Sequence, residues 1–215
     1  LIDSKMGIAW TTHMRFEKSL LEDQVWQDAK ASGCKYLHFG YESGNERVLK
    51  LMDKATTTEI MTKHLKYTAE AGIWNHCMGF FGFPGETREE AWSSVEFLEQ
   101  NKDYVHSLGF GTFDLGRHNP VAKHPEKFGV TAYKNPEWDL ALDYYFTVKQ
   151  GLSIEEAERV FEEFERNHNP GWDLRLFIRE YIFLYIAQFG LQKLPDLQFR
   201  SARVATVPPS LAGKM

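Results

Sequence analysis

Glu42 ends an apolar run, Tyr36-Leu37-His38-Phe39-Gly40-Tyr41, and opens a polar turn, Ser43-Gly44-Asn45. A carboxylate at the carboxyl end of a strand can accept hydrogen bonds from ribose hydroxyls or pair with an ammonium. The other reading pairs it with Arg47 or has it cap the next helix. Ser43 and Asn45 read as cap and turn residues ahead of ligands. Some forty residues on, Gly79-Phe80-Phe81-Gly82-Phe83-Pro84-Gly85-Glu86-Thr87 is a second strand end. Its Gly82-Phe83-Pro84-Gly85 turn lets the backbone approach a ligand, and the following helix should direct free N–H groups at the same mouth. Such a turn also recurs for packing reasons alone. His13 and Arg15 follow the first strand; an arginine there suits a carboxylate or phosphate, with a surface ion pair as the alternative. Asp114, Arg117 and His118 follow the fourth strand in the same way.

Several chemistries lack their signature. His38, His64, His76, His106, His124 and His168 are scattered, without the helical spacing to a carboxylate that a zinc site needs. No G-x-S-x-G elbow, P-loop or G-x-G-x-x-G after a strand is present. Cys34 and Cys77 are the two cysteines, too few for a disulfide framework or a metal cluster. They favour a reducing, cytoplasmic setting. A net charge of −5 and a pI near 5.9 argue against a nucleic-acid surface. No apolar run approaches the roughly 20 residues that span a bilayer.

The elements that must position these groups alternate. Met6 to Thr12 reads as a buried strand, followed by a helix from Ser19 to Ala31 that Gly33 stops. Lys35 to Tyr41 is the next strand, and Asn45 caps a short helix through Met52. Thr56-x-x-Glu59 has capping-box spacing before a helix to Ala71. Ile73 to Phe83 is a strand, Arg88 to Asn101 a helix, and Val105 to Leu115 a fourth strand. Four alternations with long connections predict parallel β/α units with right-handed crossovers. Residues 116–136 read as a long loop over the sheet. Helices are expected at Pro136–Gln150, Ser153–His168 and Trp172–Phe189, the last buried on several sides, before an irregular tail. Trp138, Tyr144 and Tyr145 are pocket candidates, though aromatic stripes on helices are more often core.

These blocks together resemble a family. Gly33-Cys34-x-x-Leu37-x-Phe39-Gly40-x-Glu42-Ser43-Gly44-Asn45-x-x-Val48-Leu49-x-x-Met52-x-Lys54, then Gly72-Ile73, then Gly82-Phe83-Pro84-Gly85-Glu86-Thr87, is similar to the carboxyl half of a radical S-adenosylmethionine (radical SAM) enzyme. The likeness covers residues 1 to about 115 and is greatest to the subgroup that often carries an upstream cobalamin-binding domain. It implies an α/β fold: the carboxyl half of a (β/α)6 barrel, a partial TIM-like barrel with about four parallel strands, followed by a helical carboxyl-terminal region. The expected divisions are 1–115 for the barrel half, 116–136 for the loop over its mouth, 137–194 for the helical region and 195–215 for the tail.

By that resemblance the cofactors are S-adenosylmethionine and a four-iron four-sulfur cluster, with cobalamin as a further one on subgroup likeness alone. Glu42 takes the strand position that contacts S-adenosylmethionine, with Ser43 beside it, and Lys54 falls where a basic residue approaches its carboxylate. Gly82, Phe83, Pro84 and Gly85 match the segment along the adenosine. Arg15 and His13 fall near a strand end facing the same ligand. The family's C-x-x-x-C-x-x-C motif is absent from these residues, so the cluster ligands are expected upstream of Leu1, in a truncated parent. A non-catalytic half-barrel scaffold is the alternative. The implied partners are a small-molecule or peptide substrate and an electron donor, with neither nucleic acid nor membrane.

Overall fold

A computed structural model of the chain describes residues 1–4, 6–133, 142–168 and 179–190. Strands β1 (Trp10–Met14), β2 (Cys34–Glu42), β3 (Trp74–Phe81) and β4 (Ser107–Thr112) form one parallel sheet in the order β1-β2-β3-β4. They are joined through α1 (Asp23–Ala31), α2 (Glu46–Leu51), α3 (Thr58–Glu70) and α4 (Arg88–Gln100). The partial α/β barrel read from the sequence is the fold. Because strand side chains alternate between faces, Leu37, Phe39, Tyr41, Cys77 and Phe81 meet the helices through Trp26, Met61, Leu65, Val95 and Leu98. Tyr36, His38, Trp74 and His76 share the opposite, inner face, where their rings touch one another.

Local chemistry explains most boundaries. Asn45 caps α2, its side-chain oxygen accepting from the N–H groups of Arg47 and Val48. Thr87 and Glu90 close α4 with a reciprocal capping box. Asn45→Ala is expected to destabilise the chain by about 1 kcal/mol, lowering the melting temperature by roughly 2–4 °C for a chain of this size. Asn45→Asp should keep the cap; thermal melts of the two variants check this.

Several boundaries differ from the sequence reading. The first strand is displaced from Met6–Thr12 to Trp10–Met14, and its residues alternate between half-buried and exposed. It is an edge strand paired on one side, so burial does not reach it as expected. Thr57, not Thr56, caps α3. The loop expected over 116–136 is partly ordered into β5 (Leu115–Gly116), α5 (Pro120–Lys123) and β6 (Val130–Tyr133). The helix expected at Pro136–Gln150 is, where described, strand β7 (Asp143–Val148). Its Tyr-Tyr-Phe-Thr-Val run is rich in aromatic and β-branched residues, which fit a pleated surface better than a helix. Strands β5, β7 and β6 make a small antiparallel sheet in that order. Residues 134–141, including Trp138, 169–178 and 191–215 lie outside the described residues.

Helix α6 (Ile154–His168) is part of the barrel's outer layer. Its Ala157, Val160 and Phe164 join the main core, with Phe164 against Phe81 and Phe110 at ring distances of 5.7 and 5.4 Å. It therefore serves as the helix of the fourth β/α unit, and Phe113–Ser153 is an insertion between that strand and its helix. The insertion sits at the carboxyl ends of the strands, packing Leu115, Val121, Val130 and Phe146 on Phe83 and Val48. Gly151 (φ +88) anchors its far end, since a Cβ there would lie 2.6 Å from the Glu86 carbonyl oxygen. Leu152 N–H donates to that same carbonyl at 2.8 Å. Helix α7 (Arg179–Phe189) packs Phe183 and Ile186 on Tyr36 and Trp74 of the inner face. Leu184 and Phe189 are exposed, so among the described side chains, 183–189, burial falls on one side. Among the described residues no helix is long and apolar enough to cross a membrane.

Candidate functional site

At the carboxyl ends of the strands lies a cavity of about 390 Å³. Arg15, Glu42, Asp53 and Lys54 supply its polar side, and Phe80, Phe83, Phe113 and Phe128 its aromatic side. Asn119, Pro120 and Val121 of the insertion complete the wall. A hollow of about 440 Å³ at the opposite end of the sheet has Lys30 and Lys35 in its lining but no acid, histidine or arginine. Of the two cavities, the one at the mouth is lined by both acidic and basic side chains.

Backbone geometry places the two carboxylates there. Among the described residues, Glu42 (φ 62) and Asp53 (φ 57) are the non-glycine residues in the left-handed region. Such conformations cost of order 1 kcal/mol or more and gather at functional sites. Glu42 follows a register shift between Gly40 and Glu42, which turns its side chain out of the ladder toward the mouth. Asp53 stands one residue past the carboxyl cap of α2, with Asp53 N–H donating to Lys50 O and Lys54 N–H to Leu49 O. This paired closure usually has glycine in the left-handed position. It also delivers Lys54, whose Nζ donates to Glu42 Oε1 at 3.0 Å.

Glu42 thus pairs with Lys54 and not with Arg47, which binds Glu90 and the Gly85 carbonyl instead. The Arg15 side chain lines the cavity and makes no ion pair or hydrogen bond among the described residues. Among the described residues the cavity therefore offers an engaged carboxylate–ammonium pair, an uncommitted guanidinium, an uncommitted carboxylate at Asp53 and an aromatic wall. The phenylalanines interlock, with Phe83 edge-on to Phe113 at 5.3 Å and to Phe128 at 5.9 Å.

The other expected site residues are placed differently. Ser43 is fully buried, its Oγ 2.9 Å from Ser94 Oγ and accepting from Asn45 N–H, and it does not line the cavity. Of the Gly82–Gly85 turn, Phe83 alone reaches it. Gly82 (φ +86) is required because a Cβ would meet Ala157 at 2.5 Å. The expectation that α4 aims free N–H groups at the mouth is corrected at Glu90 N–H, which the Thr87 hydroxyl accepts within the capping box. His13 lies deeper, stacked on His38 at 4.5 Å. Asp114, Arg117 and His118 do not line the cavity; burial and the neighbouring Asp143 push the Asp114 carboxyl upward.

Beneath the turn, Glu86 is fully buried. Its Oε2 accepts from Gly82 N–H at 2.6 Å, whereas Oε1 has no hydrogen-bond partner among the described residues. Burial pushes its carboxyl up to about 7, against the opposing pull of the Gly82 and Phe83 N–H groups. The cysteines are free and buried. Burial raises the Cys34 thiol to about 11 and the Cys77 thiol further, so both keep their protons at neutral pH. Among the described residues no three histidine, cysteine or acidic side chains are grouped to hold a metal ion.

Sequence reasoning missed Asp53, Phe113, Asn119 and Phe128. Only Asp53 carried a local signal, as a turn-tolerant residue directly after a helix and before a flagged lysine.

Residues 4–98 match the family described as the radical SAM superfamily. An uncharacterized methyltransferase of Pyrococcus horikoshii is 31% identical over 97 residues, covering 44% of this chain and 20% of its own length. Cytidylyl-2-hydroxyethylphosphonate methyltransferase of Streptomyces wedmorensis is 27% identical over 181 residues, 79% of this chain and 33% of that protein. The chain thus spans a third or less of these relatives. Among solved structures, coproporphyrinogen III oxidase of Escherichia coli, a radical SAM enzyme, superposes with a TM-score of 0.53 at 15% identity, covering 74% of this chain and 31% of that one.

Proposed function

Because residues 4–98 belong to the radical SAM superfamily, we propose that this chain forms the S-adenosylmethionine-binding carboxyl half of such an enzyme's barrel. One observation carries the proposal: Arg15, Glu42, Lys54 and Phe83, far apart in sequence, line one cavity at the mouth. In this reading Glu42 accepts from the ribose hydroxyls while Lys54 holds its carboxylate in place. Arg15, uncommitted to any partner among the described residues, takes the carboxylate of the methionine moiety. Phe80 and Phe83 give the adenine an apolar aromatic wall. When bound, S-adenosylmethionine would supply a 5′-deoxyadenosyl radical and methionine on one-electron reduction, or, unreduced, a methyl group to a nucleophile with S-adenosylhomocysteine as the leaving product.

The two buried thiols do not fit an iron–sulfur cluster, since among the described residues no three metal-ligating side chains are grouped. No step through a cluster is derived from these residues, and its ligands are proposed to belong to other parts of the enzyme. Methyl transfer as the outcome draws support from relatives named methyltransferases. Cobalamin as a further cofactor rests on the sequence likeness to its subgroup. The test is calorimetric titration of the 215-residue chain with S-adenosylmethionine, with ATP as the control adenosine. Saturable binding, weakened at least tenfold in Lys54→Met, is expected; no saturable heat at millimolar ligand would overturn the reading.

A further inference from the structure

The cofactor reading leaves one charged group of the mouth cavity without a task. Arg15, Glu42, Lys54, Phe80 and Phe83 are assigned to S-adenosylmethionine, whereas Asp53 lines the same cavity and is not. It is exposed, and its side chain makes no ion pair or hydrogen bond among the described residues. Lys54, next in the chain, gives its Nζ to Glu42 at 3.0 Å and not to Asp53. Arg15 does not pair with Asp53 either. With Glu42 met by Lys54, and Arg15 by the carboxylate of the ligand, the charge of Asp53 is the one left unbalanced among these groups.

The turn by itself does not account for an aspartate. Position 53 closes α2 at φ 57, with its N–H donating to Lys50 O at 3.1 Å and Lys54 N–H to Leu49 O at 2.9 Å. Glycine adopts that conformation without strain, and asparagine tolerates it as aspartate does. Neither brings a charge. An aspartate adds a second carboxylate to a cavity that already holds Glu42, and neighbouring like charges disfavour each other. It also stands at the carboxyl end of α2, where the partial negative charge of the helix end disfavours an anion. A charge kept against strain, a like charge and a helix end fits a ligand contact better than a turn.

An ionised carboxylate only accepts, so the ligand atom that meets Asp53 is a donor. A charged donor is favoured over a hydroxyl: it balances the charge, and charge-assisted hydrogen bonds are about twice as strong as neutral ones. The wall agrees with this. Phe113 and Phe128 of the insertion line the cavity, and aromatic faces attract ammonium and guanidinium groups. Lys127 Nζ already stands 5.6 Å from the centre of the Phe128 ring, so Phe113 is the ring assigned to the ligand. The side chains of Glu42 and Lys54 are 22% and 32% exposed, so the exposed Asp53 lies nearer the rim than the pair assigned to the cofactor.

We infer that Asp53 forms a cation subsite at the rim of the mouth cavity, taking an ammonium or guanidinium group of the substrate with Phe113 beside it. The substrate class is then an amine, a guanidine or a peptide that carries one. The methionine moiety of S-adenosylmethionine is the other source of an ammonium, and the test separates the two. The inference rests on the proposed function only in calling the bound cation a substrate of S-adenosylmethionine chemistry. The cation site itself does not depend on it.

The test is calorimetry on the 215-residue chain saturated with S-adenosylhomocysteine and titrated with n-butylammonium chloride, at constant ionic strength, with n-butanol as the uncharged control. Saturable binding of butylammonium, and none of butanol, is expected. Asp53→Asn keeps a residue that tolerates the turn and drops the charge. It should weaken butylammonium at least tenfold and S-adenosylhomocysteine by less than twofold. Asp53→Gly should lose butylammonium equally while melting no lower than the parent, which excludes a folding defect. A tenfold loss of S-adenosylhomocysteine in Asp53→Asn, absent for its deaminated analogue, would put the methionine ammonium at Asp53 and overturn the substrate assignment. Unsaturable butylammonium binding, or an unchanged midpoint in Asp53→Asn, with S-adenosylhomocysteine affinity also unchanged, would overturn the cation site. Butylammonium binding that Asp53→Asn abolishes, on a chain that binds no S-adenosylhomocysteine, would sink the cofactor reading and leave the cation site standing.

Discussion

Glutamine at position 42 is expected to weaken S-adenosylmethionine binding by about 10- to 100-fold, the usual worth of a hydrogen bond to a charged group, about 1.5–3 kcal/mol. The carboxylate has two tasks in the cavity. It accepts from the ligand, and it holds Lys54 through the 3.0 Å contact. Glutamine keeps the length and one acceptor but loses the charge that engages the ammonium. A second variant separates binding from folding. Glu42 sits at φ 62, where a side chain is strained and glycine is not. Glu42→Gly should therefore fold as well as the parent or better, by up to about 1 kcal/mol, while losing the ligand. Calorimetry and thermal melts on the same samples decide it. Affinities within twofold of the parent in both variants would show that the strained carboxylate serves the backbone and not a ligand.

The second large effect lies beneath the turn. The Glu86 carboxyl, pushed up to about 7 by burial, holds its proton more tightly in the folded chain than in the unfolded one. Its contribution is most favourable below the ordinary carboxylate range. It declines as pH rises from about 4.5 to about 7 and stays at its least favourable above that. At about 1.4 kcal/mol for each pH unit between the two values, the penalty at pH 8 reaches up to about 3 kcal/mol. Glu86→Gln cannot ionise, yet its carbonyl can still accept from Gly82 N–H. It is expected to melt higher than the parent at pH 8, by up to roughly 6–12 °C, with the advantage gone near pH 4.5. The comparison has to be between variant and parent at each pH. His106, lowered to about 4 by burial, is neutral in the fold and makes stability rise with pH between about 4 and 6.5. His64, also lowered by burial, acts in the same direction. Parallel pH profiles for parent and variant would show that Glu86 is ionised at no cost, and that the turn tolerates a buried charge.

Much of the barrel half was legible along the chain, because its signals are local. Asn45 and Thr87 cap helices by reaching two or three residues ahead. The apolar runs around Leu37 and Cys77 mark strands whose outward side chains find helices on every crossover. Glu42 and Phe83 could be singled out for the same reason: each stands at the end of a strand, where the chain must give way to a turn. The displaced first strand, the antiparallel sheet and the role of α6 were not legible. Aromatic runs such as Asp143–Val148 suit a strand or a buried helix until a pairing partner is present, and theirs lies at Leu115–Gly116 and Val130–Tyr133.

The site divides along the same line. Residue types and position named the carboxylate and the arginine, because charge and place at an element's end are properties of the chain, whereas the lysine was singled out through the family resemblance. Their convergence required more: a register shift beside Glu42, a left-handed Asp53 that turns Lys54 back, and an insertion bringing Asn119 and Phe128 over the mouth. Pairing register and insertion docking follow from long-range packing free energy, which no short window of sequence contains.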